Sequence, residues 1–241
     1  MNSEHSTNYT MRYLLRNSII IIQTIIIFIY SPIKVFGSQP NCPVYTIGEP
    51  QGHYIALTFD DGPHPTKTSE ILQILQENQV KATFFVVGEN AESNEEIVEE
   101  IINRGHEIGN HTFRHKYLSG QGRHVMESEI DLCDDAIFNH SEYSAKLFRP
   151  PGGLYDDTLT ALCAERGYSV VLWSIDTRDW AGTSAIEICN EIFNYIEDGS
   201  IILMHDYVSG ESHTAEALRI VIPKLKELGY CFVTVSELIG N

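Results

Sequence analysis

Two carboxylates stand side by side at Asp60 and Asp61, and two imidazoles stand four residues apart at His111 and His115. Neighbouring like charges disfavour each other's ionisation, and a cation nearby reverses that cost. Two imidazoles plus one carboxylate make a three-ligand divalent metal site with one position left open. The other carboxylate then stays free to move a proton. Each pair alone is a weak signal. An Asp-Asp doublet is usually a cap or a solvated turn, and HxxxH is more often two surface histidines. A helical turn through the second segment would project both rings from one face.

Groups this far apart in sequence need a scaffold that brings them together. Strand-length apolar stretches fall at 55–59, 82–87, 107–109, 146–148, 169–173, 200–204 and 230–233. Between them, helical periodicity predicts helices at 69–79, 94–104, 124–138, 156–166, 184–197 and 214–228. Ser69 reads as an N-cap, Gly105 as a helix-ending glycine, and Pro223 as a kink or interruption. Such alternation means a parallel sheet with crossover helices, as an open doubly wound sheet or a closed barrel. No GxGxxG or Walker sequence follows a strand, so nothing favours a nucleotide fold.

Polar residues collect where the strands end. Asp60-Asp61 follow the first, Asn110 to His115 the third, Arg149 to Gly153 the fourth, Asp176 to Trp180 the fifth, and His205-Asp206 the sixth. In a parallel barrel all these ends share one face, and that face carries the active site. His205 reads either as a satisfied core histidine or, beside Asp206, as a general acid. Arg149 reads as a structural ion-pair residue or as the holder of a catalytic carboxylate. Trp180 is either core or a wall on which a sugar stacks.

Composition narrows the classes. The chain has 241 residues, enough for one sizeable domain, and a formal net charge of −17, which argues against nucleic-acid binding. Its five cysteines (42, 133, 163, 189, 231) show no CxxC spacing, which excludes zinc-ribbon and thioredoxin readings. Cys133, Cys163 and Cys189 sit in helical patterns as small core residues. Disulfides after export are compatible with the count, but no pairing follows from sequence.

Residues 1–37 form a separate region. Arg12 and Arg16 precede an apolar run from Ile19 to Tyr30, followed by a small-residue cleavage candidate at Val35-Phe36-Gly37. This is the layout of a secretory signal peptide. The alternative is an uncleaved anchor, with residues 19–36 as a membrane tether. Either form places the domain outside the membrane, as a secreted, cell-wall or cell-surface protein. Residues 38–52 carry three prolines and read as a linker or N-terminal arm ahead of a domain over 53–240.

TFDDGP, HTFRH, RPPGG, DTRDW and ILMHD, in this order, resemble the five motifs of the polysaccharide deacetylases, the NodB-homology or carbohydrate esterase family 4 group. The likeness covers roughly 53–240. It implies an α/β fold, a distorted (β/α)7 TIM-like barrel in a single domain. It also implies metal-dependent N-deacetylation of N-acetylglucosamine units in chitin, chitooligosaccharide or peptidoglycan, with release of acetate. By resemblance, Asp60 is the general base, and Asp61, His111 and His115 hold the metal, usually zinc. Arg149 holds Asp60, Asp179 fixes the charged network, and His205 is the general acid. Trp180 lines the substrate groove, and Leu203 lines the pocket for the acetyl methyl.

One position departs from the family pattern. The third motif usually carries an aromatic or larger residue where Gly152 stands, and the backbone N–H there helps bind the oxyanion. Tyr155 is the expected replacement for the missing side chain. Two other readings compete: a noncatalytic polysaccharide-binding or wall protein on the same barrel, and a metal amidohydrolase of a small non-sugar amide.

Overall fold

The computed structural model describes residues 42–49 and 52–240. Among the described residues there are nine strands: β1 (Val44–Tyr45), β2 (Tyr54–Asp60), β3 (Thr83–Val86), β4 (Glu107–Asn110), β5 (Leu147–Phe148), β6 (Ser169–Val171), β7 (Ile175–Asp176), β8 (Ile201–His205) and β9 (Cys231–Phe232). The helices among them are α1 (Lys67–Asn78), α2 (Gly88–Ser93), α3 (Glu95–Asn103), α4 (Arg123–Ser141), α5 (Asp157–Arg166), α6 (Ala185–Tyr195), α7 (Thr214–Glu227) and α8 (Val235–Ile239).

The strands are ordered β1-β6-β5-β4-β3-β2-β8-β7, with β9 added to β2, and every ladder is parallel. Near one end of this order lies β6, and β7 is the other end, yet residues 172–174 alone separate them in the chain. The sheet therefore curls until its ends meet, which gives the expected distorted barrel. The seam is bridged by the segment that sequence suggested as an arm. Val44 pairs with Val170 and Tyr45 with Val171, while Ile47 bridges Ser200 antiparallel at the foot of β8.

Strand alternation sorts the side chains onto two faces of the sheet. From β2, Ile55, Leu57 and Phe59 face outward under the helices, with Phe84, Ile108, Ile202 and Met204 from neighbouring strands. Phe59 and Phe84 stack there with ring centroids 5.0 Å apart. The opposite parity fills the barrel: Ala56, Phe85, Leu147, Val171 and Ile201 pack against Val235, Leu238 and Ile239 of α8. Each large side chain so buried contributes about 1.5–3 kcal/mol. The same inward parity, continued to the strand ends, delivers Thr58, Asp60, Arg149, Leu203 and His205 to the top of the barrel.

Several local details differ from expectation. The stretch 169–173 is not one strand. It ends at Val171, and β7 begins at Ile175. Helix α1 begins at Lys67 with Thr66 at its cap position, so Ser69 lies inside the first turn. Helix α7 runs through Pro223 without interruption. Arg219 and Pro223 face solvent, so the carbonyl that loses its partner is open to water. Helix α2 carries no amphipathic signal; just Gly88 and Ala91 of it are buried.

Cys133, Cys163 and Cys189 are buried, and all five thiols are free. The leader or anchor expected over 1–37 lies outside the described residues. Among the described residues no helix is long and apolar enough to cross a membrane.

Candidate metal centre and active site

Consecutive strand residues point to opposite faces, so Asp60 and Asp61 should diverge. They do not, because Asp61 has a φ of +74° and turns the chain sharply at the end of β2. That turn is locked from below. The Gly62 N–H donates to Asp206 Oδ1 at 3.0 Å, and the Thr68 hydroxyl donates to Asp206 Oδ2 at 2.6 Å. A Cβ on Gly62 would lie 2.0 Å from that carboxylate, which is why glycine stands there. Burial, helped by the Asp61 charge, pushes the Asp206 carboxyl up to about 7.

The HTFRH segment is a loop, not the helical turn that would place both rings on one face. Thr112 and His115 take left-handed backbone angles, with φ of +67° and +52°. The Thr112 N–H donates to Asn110 Oδ1, and the Lys116 N–H to Thr112 Oγ1. This compact turn brings the His111 and His115 rings to 5.0 Å between centroids. His111 Nδ1 lies 2.7 Å from the Arg149 carbonyl. Donation to that carbonyl leaves the Nε2 lone pair aimed at the site, the arrangement typical of a metal-bound histidine.

Asp61, His111 and His115 offer ligand atoms within 4.8 Å of one another. His111 Nε2 stands 3.4 Å and His115 Nε2 3.1 Å from Asp61 Oδ1. That oxygen is nevertheless buried and makes no hydrogen bond. Ligands held at about 2.0–2.1 Å in a tetrahedron lie about 3.3 Å apart, so these spacings fit one shared ion. The donor set, two imidazoles and a carboxylate, suits a divalent transition metal. Burial opposes ionisation of Asp61, but the neighbouring His111 imidazole, with the charges of His115 and His205, holds its carboxyl below the usual range. Burial, with the charges of His111 and His205, keeps the His115 imidazole below its ordinary value against the opposing pull of Asp61 and Asp60.

Asp60 is held from the other side. Arg149 is fully buried and donates through Nη1 to Asp60 Oδ1 at 2.7 Å and to Thr58 Oγ1 at 2.8 Å. Its Nε and Nη2 donate to the carbonyls of Val171 and Leu172. Phe85 lies against the guanidinium, 4.0 Å from its carbon. With Oδ1 engaged, Asp60 presents Oδ2 toward His111 Nε2 at 3.7 Å.

His205 Nδ1 lies 2.8 Å from Asp179 Oδ1. Asp179 also accepts from the His205 and Trp180 backbone N–H groups and from the Thr214 hydroxyl. Burial works against the imidazolium, yet the Asp179 bond and charge, with Asp60 and Asp61, raise His205 to about 9.

One open cleft of about 300 Å³ is lined by Asp60, Asp61, His111, His115, Gly152, Trp180, Leu203 and His205. Arg149 and Asp179 stand directly behind it. Tyr155 does not join them: it is absent from the lining and is exposed on the surface. The space beside Gly152 belongs instead to Tyr117, whose Cε1 would lie 2.6 Å from a Cβ there. Sequence reasoning missed Tyr117 and Trp173 in the lining, and Thr58 and Thr214 behind it. Thr58 was findable by parity, two residues before Asp60. Tyr117 follows His115 by two residues in the same loop.

Inward strand ends carrying a carboxylate–imidazole cluster define a hydrolase site on a parallel α/β barrel. A family model described as polysaccharide deacetylase matches residues 47–171. A peptidoglycan-N-acetylglucosamine deacetylase of Bacillus cereus is 42% identical over 187 residues, spanning 77% of this chain and 87% of the relative. A chitooligosaccharide deacetylase of Sinorhizobium fredii is 35% identical over 76% of this chain and 90% of its own length. The crystal structure of the Bc1960 peptidoglycan N-acetylglucosamine deacetylase superposes with a TM-score of 0.81 at 36% identity, covering 83% of this chain and 94% of that one. The chain belongs to the polysaccharide deacetylase family, the NodB-homology or carbohydrate esterase family 4 group. It is a hydrolase of amide bonds in polysaccharides.

Proposed function

We propose that the chain removes acetyl groups from N-acetylglucosamine units of an exported or cell-wall polysaccharide, peptidoglycan or chitin oligomer, with a divalent metal, best matched by zinc. The observation that carries this is the buried, unbonded Asp61 Oδ1 facing two imidazole nitrogens, beside a second carboxylate engaged by Arg149. Similarity to a peptidoglycan deacetylase and to a chitooligosaccharide deacetylase supports the substrate class. The basic and apolar leader over 1–37 supports a location outside the membrane, secreted or tethered through 19–36.

Asp61, His111 and His115 are the residues that would hold the metal. When bound, a divalent cation supplies Lewis acidity toward a carbonyl oxygen and a water. Asp60, its Oδ1 fixed by Arg149, takes the proton of the attacking water through Oδ2. In the 149–153 loop, Arg149 N–H donates to Asn110, Gly153 N–H donates to Pro150, and the prolines have no N–H. Gly152 is therefore that loop's donor for the oxyanion. His205, kept protonated by Asp179, gives its proton to the leaving amine. Leu203 receives the acetyl methyl, and Trp180, more than half exposed, receives a sugar face.

The complete acid, base and ligand set in one cleft weighs against a noncatalytic wall protein. Acetate release is to be measured on peptidoglycan and on chitin oligomers, with and without chelator. Chelator-sensitive release from one or both is the expected result. A metal-replete protein that releases acetate from neither overturns the proposal, and release from small amides alone would favour the amidohydrolase reading.

A further inference from the structure

Gly152 and Tyr117 form a matched pair. Gly152 has a φ of +64°, and an added Cβ would sit 2.6 Å from Tyr117 Cε1, closer than real contacts allow. The ring and a side chain at 152 therefore exclude each other. Tyr117 is not core: it is 53% exposed. Its ring stands edge-on to His115, with centroids 6.1 Å apart, and lines the same cleft as the ligand cluster. Trp180, 56% exposed, belongs to the Asp179–His205 part of that cleft. Two half-exposed aromatic rings thus border the reacting groups, one by each histidine element.

We infer that Tyr117 is a specificity-determining residue: its ring, admitted by the bare backbone of Gly152, is a second aromatic wall on which a sugar ring of the polymer stacks. This rests on the deacetylase reading. The C–H face of a pyranose is apolar and matches an aromatic ring, whereas an acetamide group alone offers no such face. Tyr117 therefore favours chains of sugar residues over single residues and small amides. It acts on binding and leaves the proton transfers to Asp60 and His205.

The test is steady-state kinetics on N-acetylglucosamine oligomers of increasing length, with calorimetric oligomer binding and metal content measured alongside. Tyr117→Ala should raise KM for long oligomers about tenfold, the scale of one lost aromatic contact. Its kcat should change less than threefold, its KM for a single sugar should change little, and its metal content should stay at the wild-type level. Tyr117→Phe should restore the oligomer KM, because the ring and not the hydroxyl is used. An oligomer KM unaffected by Tyr117→Ala, a length-independent defect, or failure of Phe to rescue overturns the inference. Should the wild type release no acetate at all, the deacetylase reading falls. Oligomer binding by wild type and Tyr117→Ala then still decides the role of the ring.

Discussion

Asp179 Oδ1 lies 2.8 Å from His205 Nδ1, and the same carboxylate also takes the His205 backbone N–H and the Thr214 hydroxyl. The ring is thus fixed at both its base and its nitrogen, with Nε2 left toward the cleft. An acid so supported keeps its proton across the neutral range.

That support has a pH signature. The folded His205 value, about 9, is raised above the ordinary 6.5. Its contribution to stability is fully present below about 6.5 and is lost as pH rises through about 9. Activity that needs the imidazolium should decline over the same alkaline limb. In Asp179→Asn the charge is gone, and the limb should move to lower pH. A pH profile of kcat/KM checks this, and an unmoved limb would remove His205 from the acid role.

Asp60 and Asp61 should separate cleanly by mutation. Asp60→Asn keeps the shape and leaves the ligand trio intact, so metal content should remain while kcat falls about 10²–10⁴-fold. Asp61→Ala should lose both metal and activity. Metal analysis of the purified variants, beside acetate release, distinguishes the two. Retained turnover in Asp60→Asn would refute its assignment as base.

Arg149 is a stability residue as much as a positioning one. Its removal strands the Asp60 carboxylate in a dry barrel, where breaking a buried pair costs about 3–5 kcal/mol. Arg149→Ala should therefore unfold at distinctly lower urea concentration. Lysine should not restore it, because a single ammonium cannot reach Asp60, Thr58 and the Val171 and Leu172 carbonyls in one fork. Urea midpoints of the two variants decide the matter.

Metal binding should stabilise the fold. An ion that binds the native trio and not the unfolded chain raises Tm in proportion to the logarithm of its concentration. Thermal melts of the chelated protein with added zinc should show this rise, and His111→Ala should abolish it. A rise that persists in His111→Ala would place the ion elsewhere.

Much of this was legible in the sequence because strand ends in a parallel barrel gather on one face. Strand-length apolar stretches marked β2, β4 and β8, and the groups that follow them meet in the cleft. Strands β1 and β7 were not foreseen: β1 lies in the proline-bearing stretch read as an arm, and β7 lies just past the single strand expected over 169–173. The convergence of His111 and His115 was foreseen but its cause was not. Left-handed angles at Thr112 and His115 arise from hydrogen bonds to Asn110 and within the loop, which spacing does not encode. Sequence pointed to Tyr155 as the filler beside Gly152 and did not single out Tyr117. The choice was made by loop geometry, which leaves Tyr155 on the surface.

Strand β1 has a temporal consequence. Val170, which pairs with Val44, and Ser200, which bridges Ile47 just after the strand, leave the ribosome long after this segment has emerged. That segment must consequently wait, unpaired, until most of the domain exists. Sealing of the wall by this strap belongs to the late, long-range steps of assembly, and a nascent chain halted before Ser200 would leave the strap without its second anchor.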